Sequence, residues 1–459
     1  MTLLSEFLDI TQQWRSVFPQ QRTCDRALRQ GLGSLLCVGR RCLTRILWTN
    51  GGQQHNWSSD YFLHSRCRWE PQQLFRPILQ EALQHCPQRL VGVAVDDTRL
   101  HKTGRCIPQA FYQRDPMSPP FHVNLMLGLR FLQASILLPL HRNADISTRA
   151  VPIRFQEVSR VKRPGKKATA EMKEEYRQAA KLYNLSTSFV SMARELRQEL
   201  DAAGAAEKIL VLAGDGSFCN RTCFADIPER CVLLMRARKN SKLCFRAADG
   251  SRRVYALDKF TPEQVRQDEK RKWITTAVFY GGSRRKVRYK EIKKVLWQTG
   301  AKQRLLRLIV VAPTAYRKSK AKRLYYRDPA YLLTTDLHSP AKQLLQIYFD
   351  RWQIEVNHRE EKDTLGVGQA QLWNAVSVPK QPVLCVASYS ALLLASLRAF
   401  GPGRGDQYAE LPKWRRNARR PSCLDLVTLL RKEITAQPEL ISPLGLSVDS
   451  AQIVKAAAA

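Results

Sequence analysis

The chain has 459 residues and a formal charge of +35 at pH 7, from 75 Lys and Arg against 40 Asp and Glu. A hydrophobic content of 44% is enough for large cores, which excludes a mostly disordered chain and a single small module. This much positive charge repels itself unless a polyanion neutralises it, so we expect nucleic acid or an anionic membrane surface as a partner.

Residues 1–88 place apolar side chains at helical spacing, with turn signals at Gly31–Gly33 and Asn50–Gly52. The pattern predicts a helical N-terminal domain that either binds DNA ends or serves as a scaffold. The first residues carry Glu6 and Asp9 and have no basic stretch before the apolar positions, so a secretory signal is not expected.

Short β-prone runs begin at residue 89, and Leu90–Val95 is the first of them. Two further apolar runs follow closely and predict an antiparallel start to a sheet. A helical segment over 168–205 then leads to two more strands. The later runs are 122–129, 131–140, 208–213 and 231–236. Strands, a crossover helix and strands together predict a mixed α/β sheet over 89–238.

Residues 239–330 are rich in charge and in short β-prone runs, which predicts a basic, β-rich insertion. Its densest cationic stretches are 284–290 and 317–323, and aromatic side chains such as Trp297 lie among them. Cations beside aromatic rings can bind phosphates and stack on bases, so we expect DNA contacts here, although a solvated loop is the alternative for any single run. The expected contacts are Arg284, Arg285, Lys286 and Arg288.

Residues 331–400 complete the sheet domain, and 401–459 form a basic and helical C-terminal region. The longest apolar run, Val383–Leu397, is shorter than the roughly 18 residues that cross a bilayer, so it predicts a buried helix and no membrane span. The basic segment 411–420 precedes a predicted helix over 422–433. This part of the chain could bind either DNA or a partner subunit.

The twelve cysteines are scattered through the chain without a Cys-x-x-Cys pair, which indicates a reducing cytosol. Cys219 and Cys223 come closest to a metal-binding pair. They lack a matching second pair, and the eight histidines are dispersed, so a zinc site is not expected.

Two aspartates follow apolar strands of the predicted sheet. Asp96 comes after Val91–Val95, and Asp215 comes after Ile209–Gly214. A single aspartate at a strand end is usually a turn residue or a cap. Two that leave strands of one sheet weaken that interpretation and indicate a shared site.

A third acid lies on a predicted helix over 339–366, which carries Tyr348, Arg351, Glu355 and Lys362. At about 100° per residue these four side chains fall within roughly 60° of one helix face. An exposed ion-pair stripe is the alternative, since Arg351 and Glu355 are i,i+4 partners. The combination would arise by chance roughly 0.03 times in a chain of this composition, which favours a functional face.

Three carboxylates that converge can supply hard oxygen ligands for two Mg²⁺ ions about 3.5 to 4 Å apart, which suits phosphodiester cleavage and transfer. The ions would cancel the repulsion that clustered acids exert on each other and on DNA. Arg351 and Lys362 could hold the flanking phosphates. We therefore expect Mg²⁺ as the cofactor, with Mn²⁺ able to substitute.

The helix residues complete a Tyr-x2-Arg-x3-Glu-x6-Lys signature, by which the sequence resembles bacterial insertion-sequence transposases of the DDE type. Asp96-Asp97-Thr98 matches the Asp-x-Thr of that family, and Ala213–Phe218 matches its second acidic motif with Gly214 as an extra residue. The resemblance covers about residues 90–400.

The resemblance implies a ribonuclease-H-like core that is interrupted by the β-rich insertion. It implies that Asp96, Asp215 and Glu355 bind the metal ions and perform catalysis, with Asp97 as the alternative to Asp96. It also implies that the other three signature residues contact DNA. These are Tyr348, Arg351 and Lys362.

The function implied by the resemblance is a transposase that binds transposon ends, cleaves the DNA and joins the 3′ ends to target DNA. Such an enzyme would work as a homodimer on DNA, in the bacterial cytoplasm at the nucleoid. In some relatives an aromatic residue of the insertion holds a flipped base; Trp297 is the candidate here, with a packing role as its alternative and Trp273 as a competitor. A non-catalytic DNA-binding descendant and a stand-alone metal-dependent nuclease are the alternative functions.

Overall fold

A mixed β-sheet of ten strands is the framework of the computed structural model. The structure describes residues 1–54, 56–115, 118–119, 121–316, 323–415 and 418–445. Most of the second basic stretch of the insertion, residues 317–322, lies outside these residues. The strands are β1 (Leu90–His101), β2 (Phe111–Arg114), β3 (Leu125–Leu138), β4 (Arg149–Glu157), β5 (Ile209–Gly214), β6 (Cys231–Arg236), β7 (Leu243–Arg246), β8 (Tyr255–Phe260), β9 (Ile274–Tyr280), β10 (Ser283–Val295), β11 (Leu306–Val311), β12 (Ala315–Tyr316), β13 (Tyr325–Tyr326) and β14 (Ala330–Thr334).

The strand order in this sheet is β2-β3-β1-β5-β6-β14-β11-β10-β9, and β4 also pairs with β3. β1, β5 and β6 run parallel, whereas β3 is antiparallel to β1 and to β4. The predicted mixed α/β sheet is confirmed. The predicted strands at 208–213 and 231–236 correspond to β5 and β6.

The central strand β1 is longer than the sequence predicts. Its apolar run ends at Val95, but the strand continues to His101 because β3 pairs with it along this whole segment. Its parallel partner β5 pairs only as far as Ala94 with Ala213. The expected strand end at Asp96 is therefore wrong, since Asp96 lies inside β1, just beyond its last pair with β5.

The two apolar runs predicted as separate strands, 122–129 and 131–140, form the single strand β3. Arg130, the polar residue between them, stays in the strand, where its Nε atom pairs with Asp97 of β1 at 2.8 Å. This pairing explains why one charged residue does not end the strand. The antiparallel strand β4 has no counterpart among the predicted strands.

Three strands of the predicted insertion belong to the central sheet. β9, β10 and β11 pair in antiparallel order, and β14 then joins β11 to β6. Among the described residues, β7 with β8 and β12 with β13 form two small separate sheets. The segment 239–330 is thus rich in strands, but its hydrogen-bonded ladder continues into the rest of the sheet. The domain boundaries themselves stay predictions.

The N-terminal segment and the segment 168–205 are helical, and each contains a helix with a polar N-cap. Thr2 caps the first helix, and Asn184 caps the long helix that crosses from β4 to β5. The α-helices are α1 (Leu3–Gln12), α2 (Gln21–Leu36), α3 (Leu43–Thr49), α4 (Ser58–Ser65), α5 (Phe75–Gln84), α6 (His141–Ala144), α7 (Ala170–Leu182), α8 (Leu185–Ala202), α9 (Arg221–Asp226), α10 (Pro262–Gln267), α11 (Gln298–Ala301), α12 (Ala341–Asp350), α13 (Gln353–Arg359), α14 (Ser377–Phe400) and α15 (Cys423–Ala436).

The apolar helix α14 is the centre of the helical part. It is long and apolar enough to cross a membrane, and 83% of its most apolar window is buried inside the protein. It packs on β4, α1, α2 and α5, which matches the predicted buried helix. The carboxylate of Glu433 on α15 accepts hydrogen bonds from the backbone N–H groups of Leu3 at 3.1 Å and Leu4 at 2.6 Å. The helices α1 and α15 thus share one core.

Candidate active site

The predicted helix over 339–366 is divided into three parts. α12 and α13 are separated at Arg351–Trp352, and a π-helical turn follows over Glu360–Thr364. A π turn is wider than an α turn, and here it accompanies the burial of two consecutive glutamates, Glu360 and Glu361. The uniform 100° spacing used to place four polar residues on one face therefore does not hold.

Glu355 of α13 meets Asp96 of β1 where the helix packs on the sheet. The carboxylates of these two residues and the imidazole of His358 form one group, in which one ligand atom from each residue lies within 4.8 Å of the others. Both acids are predicted from the sequence, whereas His358 is not. A lone histidine gives no pattern, and its i,i+3 spacing from Glu355 is the one signal that could have found it.

Asp215 lies beside this group, just after the carboxyl end of β5. Its carboxylate accepts hydrogen bonds from the backbone N–H of Ser217 at 2.8 Å and from the Ser217 hydroxyl at 3.3 Å. It thereby caps the 3₁₀ turn Gly216–Phe218. Its charge also raises the pKa of Asp96. The structure therefore makes all three predicted acids electrostatic neighbours, with Asp215 both a turn cap and part of the acidic cluster.

The pKa of Asp96 is raised from 3.8 to about 7. Burial is the largest cause, the negative charges of Glu355 and Asp215 add to it, and Arg351 offsets part of the effect. The Asp96 carboxyl thus resists ionisation when it faces the other two acids alone. A divalent cation would remove this cost, and two carboxylates with an imidazole are a suitable donor set for one.

Asp97, the alternative first acid, has different partners. Its Oδ2 atom lies 2.8 Å from Nε of Arg130 and 3.9 Å from Nη2 of Arg99. Within the part of the chain that the structure describes, Asp96 forms no such ion pair. The geometry therefore separates the two adjacent acids into one that faces other acids and one that is neutralised by arginines.

Tyr348 and Arg351 line a pocket of about 590 Å³ together with aromatic residues that include Tyr280 and Trp352. The Nε and Nη1 atoms of Arg351 are buried and have no hydrogen-bond partner among the described residues. Buried donors without partners are costly, and a phosphate oxygen could satisfy either of them. Because Arg351 also lowers the pKa of Asp96, its guanidinium lies close to the acidic cluster.

Lys362 lines a second pocket, of about 470 Å³, with Arg40 and Arg99. Burial lowers the pKa of Lys362, and Asp96 is among the charges that act against this shift. The two cations of the signature thus line different pockets, and both interact electrostatically with Asp96. The prediction that all four signature residues share a single face is wrong, because Lys362 lines a different pocket from Tyr348 and Arg351.

His358 is 8% exposed, and its Nε2 atom has no hydrogen-bond partner among the described residues. Burial lowers its pKa from 6.5 to about 3, and the positive charge of Lys362 acts in the same direction. The ring is therefore neutral at physiological pH.

A buried polar network lies beneath the α13 helix and its π turn. Gln133 of β3 donates a hydrogen bond to Glu361 at 2.9 Å, and the Tyr389 hydroxyl of α14 donates one to Glu360. Asn357 donates to the carbonyl of Ala150 at 3.0 Å and to the Tyr389 oxygen at 3.1 Å. These contacts fix the orientation of the helix that carries Glu355. None of them was predicted from the sequence.

The predicted DNA contacts of the insertion lie on β10, which forms a hairpin with β9. Arg284, Lys286 and Arg288 are exposed, although Arg284 also pairs with Asp145 at 3.4 Å. Arg285 is half-buried, with its guanidinium 5.0 Å from the centre of the Tyr280 ring. The exposed cations alternate along β10, so the hairpin presents a cationic face. Its binding to DNA stays a prediction.

The two tryptophans considered for a flipped base differ in their surroundings. Trp297 packs edge-on against Phe224, with ring centres 6.0 Å apart, and lies against the main core. Trp273 has the Lys290 ammonium 4.6 Å from its ring centre and Arg288 at 5.8 Å. Both rings pack against the main core, and Trp273 also lies beside the basic hairpin. A role of either ring in DNA binding stays a prediction.

A family model described as DDE superfamily endonuclease matches residues 16–304, which is more than half of the chain. The chain belongs to this family. No curated protein matches the sequence. The matched segment of this DDE endonuclease contains Asp96 and Asp215 but ends before Glu355. Glu355 lies beside Asp96 in the structure, and its role as the third acid stays a prediction.

Membership implies that this DDE endonuclease acts on DNA as a nuclease or a transposase, and that it uses divalent metal ions. The group of Asp96, Glu355 and His358 is a candidate for holding such an ion. The excess of 35 positive charges agrees with a polyanionic substrate.

Proposed function

We propose that this DDE endonuclease is a DNA transposase that binds transposon ends, cleaves DNA strands and joins the 3′ ends to target DNA. One observation carries the proposal: Glu355 of α13 reaches Asp96 of β1 within 4.8 Å, although 258 residues separate them in the chain. If Glu355 were only part of an exposed ion-pair stripe with Arg351, it would have no reason to lie beside Asp96. It supports a site in which the acids act together.

Asp96, Asp215 and Glu355 are the residues that would hold divalent metal ions, Mg²⁺ or Mn²⁺. The raised pKa of Asp96 supports this assignment, because a cation would stabilise the charged form of a carboxyl that resists ionisation beside other acids. When bound, such ions supply activation of the attacking oxygen and charge neutralisation at the leaving oxygen. Asp97 is less suited to the role because Arg130 and Arg99 already neutralise it.

The chain itself would position the DNA. The unpartnered donors of Arg351 support a charge-assisted contact with a phosphate beside the acids. Lys362, in the pocket shared with Arg40 and Arg99, would hold a second phosphate. The exposed cations of the β10 hairpin would extend this grip along the duplex. The DNA strand would therefore cross the acidic cluster with cations on both sides.

The β4-β3-β1-β5-β6 half of the sheet would be the ribonuclease-H-like core, since it carries both aspartates and packs against α13. Pairing two transposon ends makes a homodimer on DNA part of the proposal. A bacterial cytoplasmic location at the nucleoid follows from the same function.

The test is a two-plasmid assay with the full chain. One supercoiled plasmid carries the DNA that flanks the coding sequence, and the other serves as target, with Mg²⁺ or Mn²⁺ present. We expect products in which flank-derived 3′ ends are joined to the target, and we expect Glu355→Gln to abolish cutting by a factor of at least about 10³ while retaining DNA binding.

The other outcomes assign the alternatives. Cut plasmid without joined product would indicate a stand-alone nuclease. Wild-type protein that binds the flanks but never cuts them with either metal would indicate a non-catalytic DNA-binding protein. Full cutting by Glu355→Gln, or by wild type in EDTA, would contradict the proposed site.

A further inference from the structure

His358 is the one member of the metal-ligand group that neither the three-acid signature nor the buried network explains. Its ring is 8% exposed, its Nε2 atom has no hydrogen-bond partner among the described residues, and one of its nitrogens lies within 4.8 Å of the ligand atoms of Asp96 and Glu355. A buried imidazole nitrogen without a partner costs free energy. An apolar residue would fill the same space without that cost.

The neighbouring side chains do not supply the missing partner. Asn357 and Glu361 on the same helical segment are bonded elsewhere, to Ala150 and to Gln133. A neutral imidazole carries a lone pair on one nitrogen, and this lone pair suits a metal ion. The acids that the ring approaches are the residues proposed above as metal ligands.

We propose that His358 is a nitrogen ligand of the ion held by Asp96 and Glu355, and that it makes this site prefer Mn²⁺ over Mg²⁺. The proposal rests on the proposed metal site, and it adds a ligand and a selectivity to it. Mg²⁺ favours oxygen donors, whereas imidazole suits first-row transition metals better. One nitrogen in place of an oxygen ligand therefore shifts the preference toward Mn²⁺.

The experiment measures Mn²⁺ binding to the full chain without DNA, by the loss of the free-ion signal in electron paramagnetic resonance. Pulsed spectra of bound Mn²⁺ then report whether a ¹⁴N nucleus is coordinated. The variants are His358→Phe, which keeps volume but has no ligand atom, and His358→Gln, which offers an amide oxygen. His338→Ala is the matched control, because its side chain is exposed.

We expect wild type and His338→Ala to show ¹⁴N coordination, and His358→Phe to lose it with at least about tenfold weaker Mn²⁺ binding. His358→Gln should bind Mn²⁺ without the ¹⁴N signal and should discriminate less against Mg²⁺ in competition. In EDTA, His358→Phe should melt at the wild-type temperature or above it, because it removes an unpaired polar atom.

Two results would overturn the proposal in distinguishable ways. If wild type binds Mn²⁺ without ¹⁴N coordination and His358→Phe binds it equally, His358 is not a ligand, although the acidic metal site stands. If wild type binds Mn²⁺ no better than Glu355→Gln does, the metal site itself is wrong and His358 has no ion to bind. Should His358→Phe fail to fold, the ¹⁴N comparison with His358→Gln gives the same decision.

Discussion

Two adjacent isosteric substitutions, Asp96→Asn and Asp97→Asn, should change the stability of the metal-free protein in opposite directions. Asp96 faces Glu355 and Asp215, so removing its charge relieves repulsion. Asp97 is paired with Arg130 at 2.8 Å, so removing its charge leaves that guanidinium without its counterion. The structure therefore assigns opposite electrostatic roles to neighbouring residues of one strand.

The size of the first effect follows from the pKa of Asp96, which rises from 3.8 to about 7. Roughly three pKa units correspond to about 4 kcal/mol as an upper limit, because each unit is about 1.4 kcal/mol. A raised carboxyl pKa costs stability as the pH rises from about 4 to about 7, and the cost is constant above that. At pH 8, Asp96→Asn should therefore stabilise the protein by about 2 to 4 kcal/mol.

The loss for Asp97→Asn should be smaller, about 1 to 2 kcal/mol, because an amide keeps one hydrogen bond to Arg130 and the pair is only partly buried. For a chain of this length, 1 kcal/mol shifts the melting temperature by about 1 °C. Calorimetry in EDTA at pH 8 should thus find Asp96→Asn melting about 2 to 4 °C higher than wild type and Asp97→Asn about 1 to 2 °C lower.

Adding Mn²⁺ completes the test, since ligand binding raises the melting temperature of the folded state that binds it. Wild type and Asp97→Asn should gain stability, and Asp96→Asn should gain little. If Asp97→Asn loses the metal-induced gain while Asp96→Asn keeps it, Asp97 is the ligand and the reasoning about the two faces is refuted.

Three further predictions concern other parts of the molecule. Burial raises the pKa of Glu361 to about 8. Glu361→Gln should therefore raise the melting temperature at pH 9 and have little effect near pH 4.5. Equal shifts of the melting temperature at both pH values would contradict this. Replacing Arg284, Arg285, Lys286 and Arg288 with Gln should reduce the slope of log K against log salt for DNA binding by about three. The reduction is not four, because Arg284 is already paired with Asp145. The same change at Lys166, Lys167, Lys173 and Arg177 serves as a control for total charge. Glu433→Ala should destabilise the fold by about 1 to 2 kcal/mol in urea unfolding, because the backbone N–H groups of Leu3 and Leu4 lose their acceptor. The exposed Glu439→Ala should not.

The parts of the fold that the sequence predicted are those in which local pattern and tertiary environment agree. β5 and β6 are buried in the middle of the sheet, so their apolar runs coincide with their limits. The helices α8 and α14 follow from helical spacing and from one long apolar run. In these segments the tertiary contacts favour the same secondary structure as the local sequence pattern.

The errors arise where a distant residue decides the local structure. Arg130 divides the apolar pattern of β3, but Asp97 of β1 keeps it in the strand. β1 continues past its apolar run because β3 supplies a hydrogen-bonding edge as far as His101. Both effects depend on a partner strand whose register the sequence does not reveal.

The candidate site divides in the same way. Asp96, Asp215 and Glu355 could be predicted because acids are conspicuous in a basic chain and follow recognisable motifs. The break at Arg351–Trp352 and the π turn could not, because they depend on which side chains α13 buries against β1, β4 and α14. His358 becomes informative only when the structure shows which acids it approaches.

The return of β14 between β6 and β11 has an evolutionary consequence. A segment that merely protruded from the sheet could be lost, lengthened or exchanged between related proteins as an independent cassette. Here Leu308–Leu333 and Val310–Tyr331 are aligned pairs in a ladder that also contacts β6, and a shift by one residue would turn every side chain of β14 to the opposite face. Recombination within the segment is therefore tolerated only when it preserves this register, so the cationic hairpin of β9 and β10 and the acid-bearing strands are constrained to diverge together.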